Sequence, residues 1–354
     1  MTRWLFIWML ASMSCLAQTT PDGFALPQPG RVFQFPRDHG SHPEFRTEWW
    51  YVTGHLNAPN GQHFGFQVTF FRQAATAAGE PLFLAHCALL DVGGQNFLHE
   101  ERLNREGWDA ASSTTALDVR NGNWSLRMNG DQLELAATIR ADAQLTLTLR
   151  PGKPLVVFGK EGVSRKGNSP AAASHYLTWP RLEASGRLRV AGQTHDVTGQ
   201  AWMDHEFSSS QLDEGQVGWD WASLQLNDGT EVMVYRMRRA DGSSDPAGTS
   251  LAWIDKQGGV RQIGAGDFRW TATRRWTSPR TKADYPIGAR IEAEGRTFEL
   301  RPLREDQELG SEVSGLPYWE GACDVLDARG QMIGRAFLEL AGYAGNLADH
   351  LKAR

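Results

Sequence analysis

Short runs of alternating apolar and polar residues recur along most of this chain, each closed by turn-forming residues. A repeat of two suits a pleated strand and is foreign to a helix. In residues 63–71, Phe64, Phe66, Val68 and Phe70 fall on one face, and Asn60-Gly61 just before them suits a tight hairpin. Residues 82–92 (LFLAHCALLDV) form an apolar run bearing His86 and Asp91. Residues 124–128, 133–139 and 145–149 follow, separated by NGD and ADA turns. Such a succession predicts an all-β meander. Residues 174–190 read as an aromatic strand interrupted at Pro180 and then a second strand, with a hairpin through Ala191-Gly192-Gln193. Residues 159–173 (GKEGVSRKGNSPAAA) are basic and Gly-rich, which predicts a long structureless loop of functional or mobile character.

At 354 residues the chain is long enough for two domains. A polar stretch at 208–216 (SSSQLDEGQ) separates two strand-rich halves of similar length, so two related antiparallel β-barrels are expected, spanning 31–210 and 211–354. Residues 346–354 alone read as briefly helical. The first seventeen residues have a basic start, an apolar run and a small residue before a cleavage point, as in a secretory signal. Residues 18–30 are a Pro- and Gly-rich leader expected on the surface. No segment reaches the ~20 apolar residues needed to span a bilayer as a helix. The expected location is therefore exported, periplasmic or secreted, with lipidation at Cys15 a weaker alternative. Cys87 and Cys323 each sit in an apolar run and are expected to be free thiols. A net charge of −5 with no dense basic run speaks against nucleic acid as a partner.

Two clusters carry the chemistry. Residues 35–56 hold His39, His42, His55, Asp38 and Glu48 beside Phe45, Trp49, Trp50 and Tyr51. They read as a loop rich in titratable groups feeding an aromatic strand, one wall of a pocket. Residues 199–207 (GQAWMDHEF) form the second cluster. Alternation puts His205 on one face with Met203 and Phe207, and Asp204 on the other with Trp202 and Glu206. Asp220 alternates with Ala222, Leu224 and Leu226, and Glu48 with Trp50 and Val52, so both are acids on apolar faces in need of partners. Three readings stand open: a His–carboxylate acid/base site built on His205, Asp204, Glu48 and Asp220; a structural polar network; or a metal site using His39 and His42 with His86 or His205. Fourteen Trp against six Tyr favours apolar surfaces, and Trp49, Trp50, Tyr51, Phe207, Trp219, Trp221 and His86 are expected to line or flank the pocket. No G-x-S-x-G or Gly-rich phosphate loop is present, and no cofactor is implied.

Residues 36–56, 174–186, 199–212, 216–229 and 318–325 together resemble the AttH-like proteins related to carotenoid 1,2-hydratase, a family often labelled as predicted secreted hydrolases. The resemblance spans roughly residues 31–345. It implies two packed lipocalin-like barrels and a pocket for a hydrophobic small molecule or lipid, the alternative being a non-catalytic accessory component of an AttEFGH-type ABC transport system with its permease as partner. It also implies hydrolase- or hydratase-like chemistry, in which an acid protonates an isolated alkene and aromatics shelter the cation. The hydratase pattern of a His and an aromatic two apart matches His205 and Phe207, and its downstream Tyr and Asp fall near Tyr235 and Met237. Phe207 stands where that pattern has Trp, and Met237 where it has the acid, which argues against carotenoid hydration.

Overall fold

The computed structural model describes residues 19–311, 313–315 and 317–347. The secretory segment, Cys15 and nearly all of the expected C-terminal helix lie outside the described residues.

The alternating runs pair into two antiparallel sheets. In the first, β1 (Thr47–Asn57), β2 (His63–Gln73), β3 (Leu82–Asp91) and β4 (Asn96–Arg105) form an opening meander. A second meander follows in β5 (Ala110–Ser112), β6 (Asp118–Asn121), β7 (Trp124–Asn129), β8 (Gln132–Ile139) and β9 (Ala143–Pro151). Short strands β10 (Val156–Val157) and β11 (Ser164–Arg165) precede the long hairpin of β12 (Ala173–Val190) and β13 (Gln193–Ser210). The order is β4-β3-β2-β1-β13-β12-β9-β8-β7-β6-β5, with β10 and β11 laid against β12. This sheet curls until its ends meet: Asn104 on β4 donates to the Asn121 side chain at 2.6 Å, and Arg102 to Thr138 at 3.1 Å.

The chain changes sheet between Ser210 and Gln216. The second sheet contains β14 (Gln216–Leu226), β15 (Glu231–Arg239), β16 (Ser250–Ile254), β17 (Val260–Gly264) and β18 (Phe268–Thr277). It is completed by β19 (Asp284–Ala293), β20 (Arg296–Pro302), β21 (Glu308–Leu309), β22 (Tyr318–Leu326) and β23 (Met332–Ala341). The order is β17-β16-β15-β14-β23-β22-β20-β19-β18, with β21 against β22. A barrel and a half-barrel result, the two-domain lipocalin-like architecture.

Each sheet wraps its own apolar core, one around Trp50, Phe64, Trp124 and Leu145, the other around Leu224, Ile287, Phe298 and Leu338. A third cluster, with Tyr51, Trp202, Trp221, Tyr235 and Phe337, fills part of the space between the sheets. Strand alternation explains why three cores coexist: β1 sends Trp50, Val52 and Leu56 into the barrel and Tyr51 toward the second sheet. Cys87 and Cys323 are buried free thiols in separate cores.

Three local expectations change. Pro180 does not end a strand: β12 runs through it for 18 residues with a register shift between Trp179 and Leu182. A proline is tolerated at such an irregularity because no ladder N–H is required there. The 159–173 stretch is not structureless; β11 ties it to β12, and Lys166 is buried. The leader does not simply lie on the surface either, because Phe24 is fully buried beneath the Arg46 guanidinium.

Candidate functional site

Strand alternation sorts the expected site residues into three places. Glu48 and His205 point into the first barrel, where Glu48 on β1 is cross-strand from Phe207 and His205 is cross-strand from Trp50. His205 Nε2 and His42 Nδ1 each lie 2.8 Å from Glu48 Oε1. The other carboxylate oxygen accepts from the His42 backbone N–H at 2.8 Å, Ser41 Oγ at 3.0 Å and Arg72 Nε at 3.2 Å. His42 Nε2 reaches Asp38 at 3.0 Å, so both of its ring nitrogens face carboxylates. Burial would push the Glu48 carboxyl up, but the bonds and charge of His205 and His42 outweigh it and hold it well below the usual range. Phe207 stacks on His42 at 3.6 Å and Trp50 on His205 at 4.9 Å, closing both faces of the group. The cluster is thus a buried hydrogen-bonded network inside the barrel, with His205 Nδ1 left buried and without a hydrogen-bond partner among the described residues.

The metal expectation falls on the same residues. His42, Glu48 and His205 offer donor atoms within 4.8 Å of one another. His39 turns away, stacked between Phe35 and Trp179. The hydrogen bonds already made by His42, and the fixed positive charge of Arg72 on Glu48, identify the three as a hydrogen-bonded network.

Asp220 lies elsewhere, on the core face of the second sheet. It takes Arg236 at 2.5 Å, Arg238 at 3.1 Å and the Tyr343 hydroxyl at 2.8 Å. Glu48, His205 and Asp220 were expected to share one pocket as its polar core; they occupy the interiors of two different sheets. The inward faces carry the two buried apolar cores, and the hollow lies between the sheets, on the faces that alternation assigns to their neighbours.

That space is a hollow of about 1000 Å³. Trp49, Tyr51, Asp204, Glu206 and Tyr176 line it from the first sheet, and Trp219, Trp221, Tyr235 and Glu339 from the second. His86 lines it too, between the Tyr318 hydroxyl at 2.8 Å and Glu101 at 3.1 Å. Of the expected lining, Trp49, Tyr51, Trp219, Trp221 and His86 thus meet here, joined by Asp204 from the expected acid/base set, whereas Trp50 and Phe207 stay in the barrel.

Asp204 is held by three donors: Thr178 at 2.6 Å, Tyr176 at 2.7 Å and the Trp202 indole at 2.7 Å. Burial overcomes them and raises its carboxyl to about 7. The Trp221 indole donates to the Tyr176 hydroxyl at 3.0 Å, which fixes that hydroxyl as a donor toward Asp204. Glu339 is raised to about 7 as well, by burial and by the charges of Asp204 and Glu206, although the Trp219 indole bonds it at 3.0 Å. Lys166 sits behind this wall, 3.3 Å from Glu206 and over the rings of Tyr235 at 3.7 Å and Tyr176 at 4.7 Å. Burial lowers its ammonium while Glu206 supports it. The sequence reading passed over Tyr176, Lys166 and Glu339. For Glu339 a signal existed, an acid set in the apolar run Phe337–Leu340.

The AttH-like family model matches residues 26–343. A crystal structure of a protein designated AttH, from Nitrosomonas europaea, is 37% identical, covers 90% of this chain and all of that one, and superposes with a TM-score of 0.83. The chain belongs to the AttH-like family. Kievitone hydratase from Nectria haematococca shares the fold at 14% identity, with 91% of this chain and 98% of that one covered and a TM-score of 0.70. The ceramide-binding protein svf1 of Aspergillus fumigatus is 23% identical over 142 residues, 39% of this AttH-like chain. The match takes in only 33% of the svf1 length.

Proposed function

We propose that this AttH-like protein binds a hydrophobic small molecule or lipid in the hollow between its sheets and exchanges a proton with it through Asp204. The observation that carries the reading is the aromatic hollow of about 1000 Å³ with a neutral-pH carboxyl in its wall. The volume matches a ligand of drug or lipid size, and Trp49, Trp219 and Trp221 supply large apolar faces. A carboxyl near 7 is populated in both protonation states at neutral pH, which is what an acid or base catalyst requires. In hydratase-like chemistry Asp204 would give its proton to an alkene carbon. The Trp221 and Tyr176 faces would stabilise the resulting cation, and water would add to it, its surplus proton returning to the carboxylate. A hydratase and a ceramide-binding protein among the relatives accord with an apolar ligand. The apolar segment within residues 1–17 supports an exported protein.

The test uses the uncharged fluorophore N-phenyl-1-naphthylamine with the full chain. Saturable binding is expected, weakened at least tenfold by Leu84→Trp, which places a bulky ring in the hollow. Infrared difference spectra, assigned with Asp204→Asn, should show its carboxyl titrating near 7 and shifting when the fluorophore binds. Unsaturable binding, or an Asp204 carboxyl that titrates in the ordinary range, would sink the proposal.

A further inference from the structure

The wall of the hollow contributed by the second sheet holds an arrangement that a purely apolar ligand leaves unexplained. Tyr235, Trp221, Glu339 and Glu320 form one rung across four neighbouring strands, each directly opposite the next. Two acids facing each other across a ladder away from water resist ionising together, so the pair is held protonated unless a cation arrives. Among the described residues no cation pairs with either: Glu320 has the Tyr51 hydroxyl at 2.7 Å, and Glu339 has the Trp219 indole. Glu320 Oε2 and the Tyr235 hydroxyl are buried with no hydrogen-bond partner, and Tyr235 lines the hollow. Asp204 and Glu206 add two more acids on the facing wall, where Lys166 pairs with Glu206, and the lining cations Arg46 and Arg105 are bonded to neither Glu339 nor Glu320 among the described residues.

A divalent metal does not fit this excess of carboxyls. Among the described residues, the donors that gather closely enough for an ion are His42, Glu48 and His205, on the far side of β1 and β13. The carboxyls of the hollow are spread along a wall, as suits an extended organic cation. The two walls together already recognise one ammonium: Lys166 is held by the faces of Tyr176 and Tyr235 and by the Glu206 carboxylate. Trp219, Trp221 and Glu339 repeat those components, with the Trp219 indole bonded to Glu339 and Tyr51 edge-on to Trp221 at 5.3 Å.

Resting on the ligand-binding reading above, we propose that the ligand is a cationic amphiphile whose ammonium group sits against Glu339, between the faces of Trp219 and Trp221. The Tyr235 hydroxyl accepts one N–H, and the apolar body of the ligand lies along Trp49, Leu84 and the mouth. Binding ionises Glu339, so a proton leaves the site as the ammonium enters.

Dodecylamine, dodecanol and dodecanoate share one apolar chain and differ in the head, so they separate the two readings. Binding to the full-length protein is followed by tryptophan fluorescence and by calorimetry in buffers of different ionisation enthalpy. The amine should bind roughly tenfold more tightly than the alcohol at about pH 8, and its advantage should shrink toward about pH 6, where its binding should release a proton. In Glu339→Gln, whose amide oxygen can keep the Trp219 bond, the preference for amine over alcohol should vanish. Equal affinity for amine and alcohol, or preference for dodecanoate, overturns the cationic ligand and leaves the hollow a general apolar site. Failure of all three to bind overturns both.

Discussion

Residue by residue, the chemistry of this chain turns on which way a side chain faces, because consecutive residues of β1 and β13 serve different compartments. Glu48 and His205 lock the barrel; Asp204 and Tyr51 face the hollow. That alternation was readable in residues 199–207, where the face of His205 and the face of Asp204 were told apart correctly. Which face borders the hollow was not readable, since both are apolar enough to be buried and burial alone does not distinguish a packed interior from a cavity. Removing His205 therefore tests the assignment. His205→Ala orphans one bond to Glu48 and empties the space between Trp50 and Phe207. It should destabilise the fold by about 2–4 kcal/mol in urea titration. Affinity of the folded fraction for N-phenyl-1-naphthylamine should stay within about twofold, less than 0.5 kcal/mol. Lost affinity with intact stability would return His205 to the ligand site.

At the level of elements, the β1–β13 pair is the common wall of barrel and hollow, and its close approach depends on small residues. Gly199 on β13 faces Leu56 of β1, and a Cβ there would stand 1.9 Å from the His55 carbonyl oxygen. Gly199→Ala must push the strands apart or tilt the peptide, and should cost about 1–3 kcal/mol, read as a lower melting temperature. Because both faces of the wall shift together, probe affinity should fall too; a variant as stable as the parent would show that this wall yields freely. The hairpins were legible for a related reason. Asn60-Gly61 and Ala191-Gly192 sit at turns that need positive φ, and Gly61, Ala191 and Gly192 adopt it at 87°, 51° and 75°. The course of residues 159–173 was not legible, because what orders it is distant: Lys166 finds Glu206, Tyr176 and Tyr235, none of which its own segment announces.

For the molecule as a whole, two sheets were legible from the polar stretch at 208–216, but the hollow between them was not. It depends on contacts such as Tyr51 with Glu320 and His55 with the Ala336 carbonyl, which join residues far apart in sequence. The chemistry of that interface also sets how stability responds to pH. His39, His63 and His175 are lowered to about 4, and His55 to about 3, chiefly by burial. As pH falls through about 6.5 the unfolded chain protonates these rings while the native state does not, so they remove stability on acidification. Asp204 and Glu339 act in the opposite sense. Raised to about 7, both stay protonated in the native state where the unfolded chain has lost the proton, so their contribution is full below about pH 4 and is lost as pH rises toward 7. Glu206 and Glu320, also raised by burial, add to it. The two sets largely cancel between about pH 4.5 and about pH 6.5, which predicts a broad plateau of melting temperature there. Stability should decline above the plateau, and below about pH 4 it should fall as Asp38 and Glu48, both held under the usual carboxylate range, are forced to protonate. Removing the raised acids exposes the histidines. In the Asp204→Asn, Glu339→Gln double variant, calorimetric scans should show melting temperature climbing steadily with pH across the former plateau. A double variant with the parent's profile would mean that these two carboxyls titrate normally, and that the hollow is open enough to water to make their burial irrelevant.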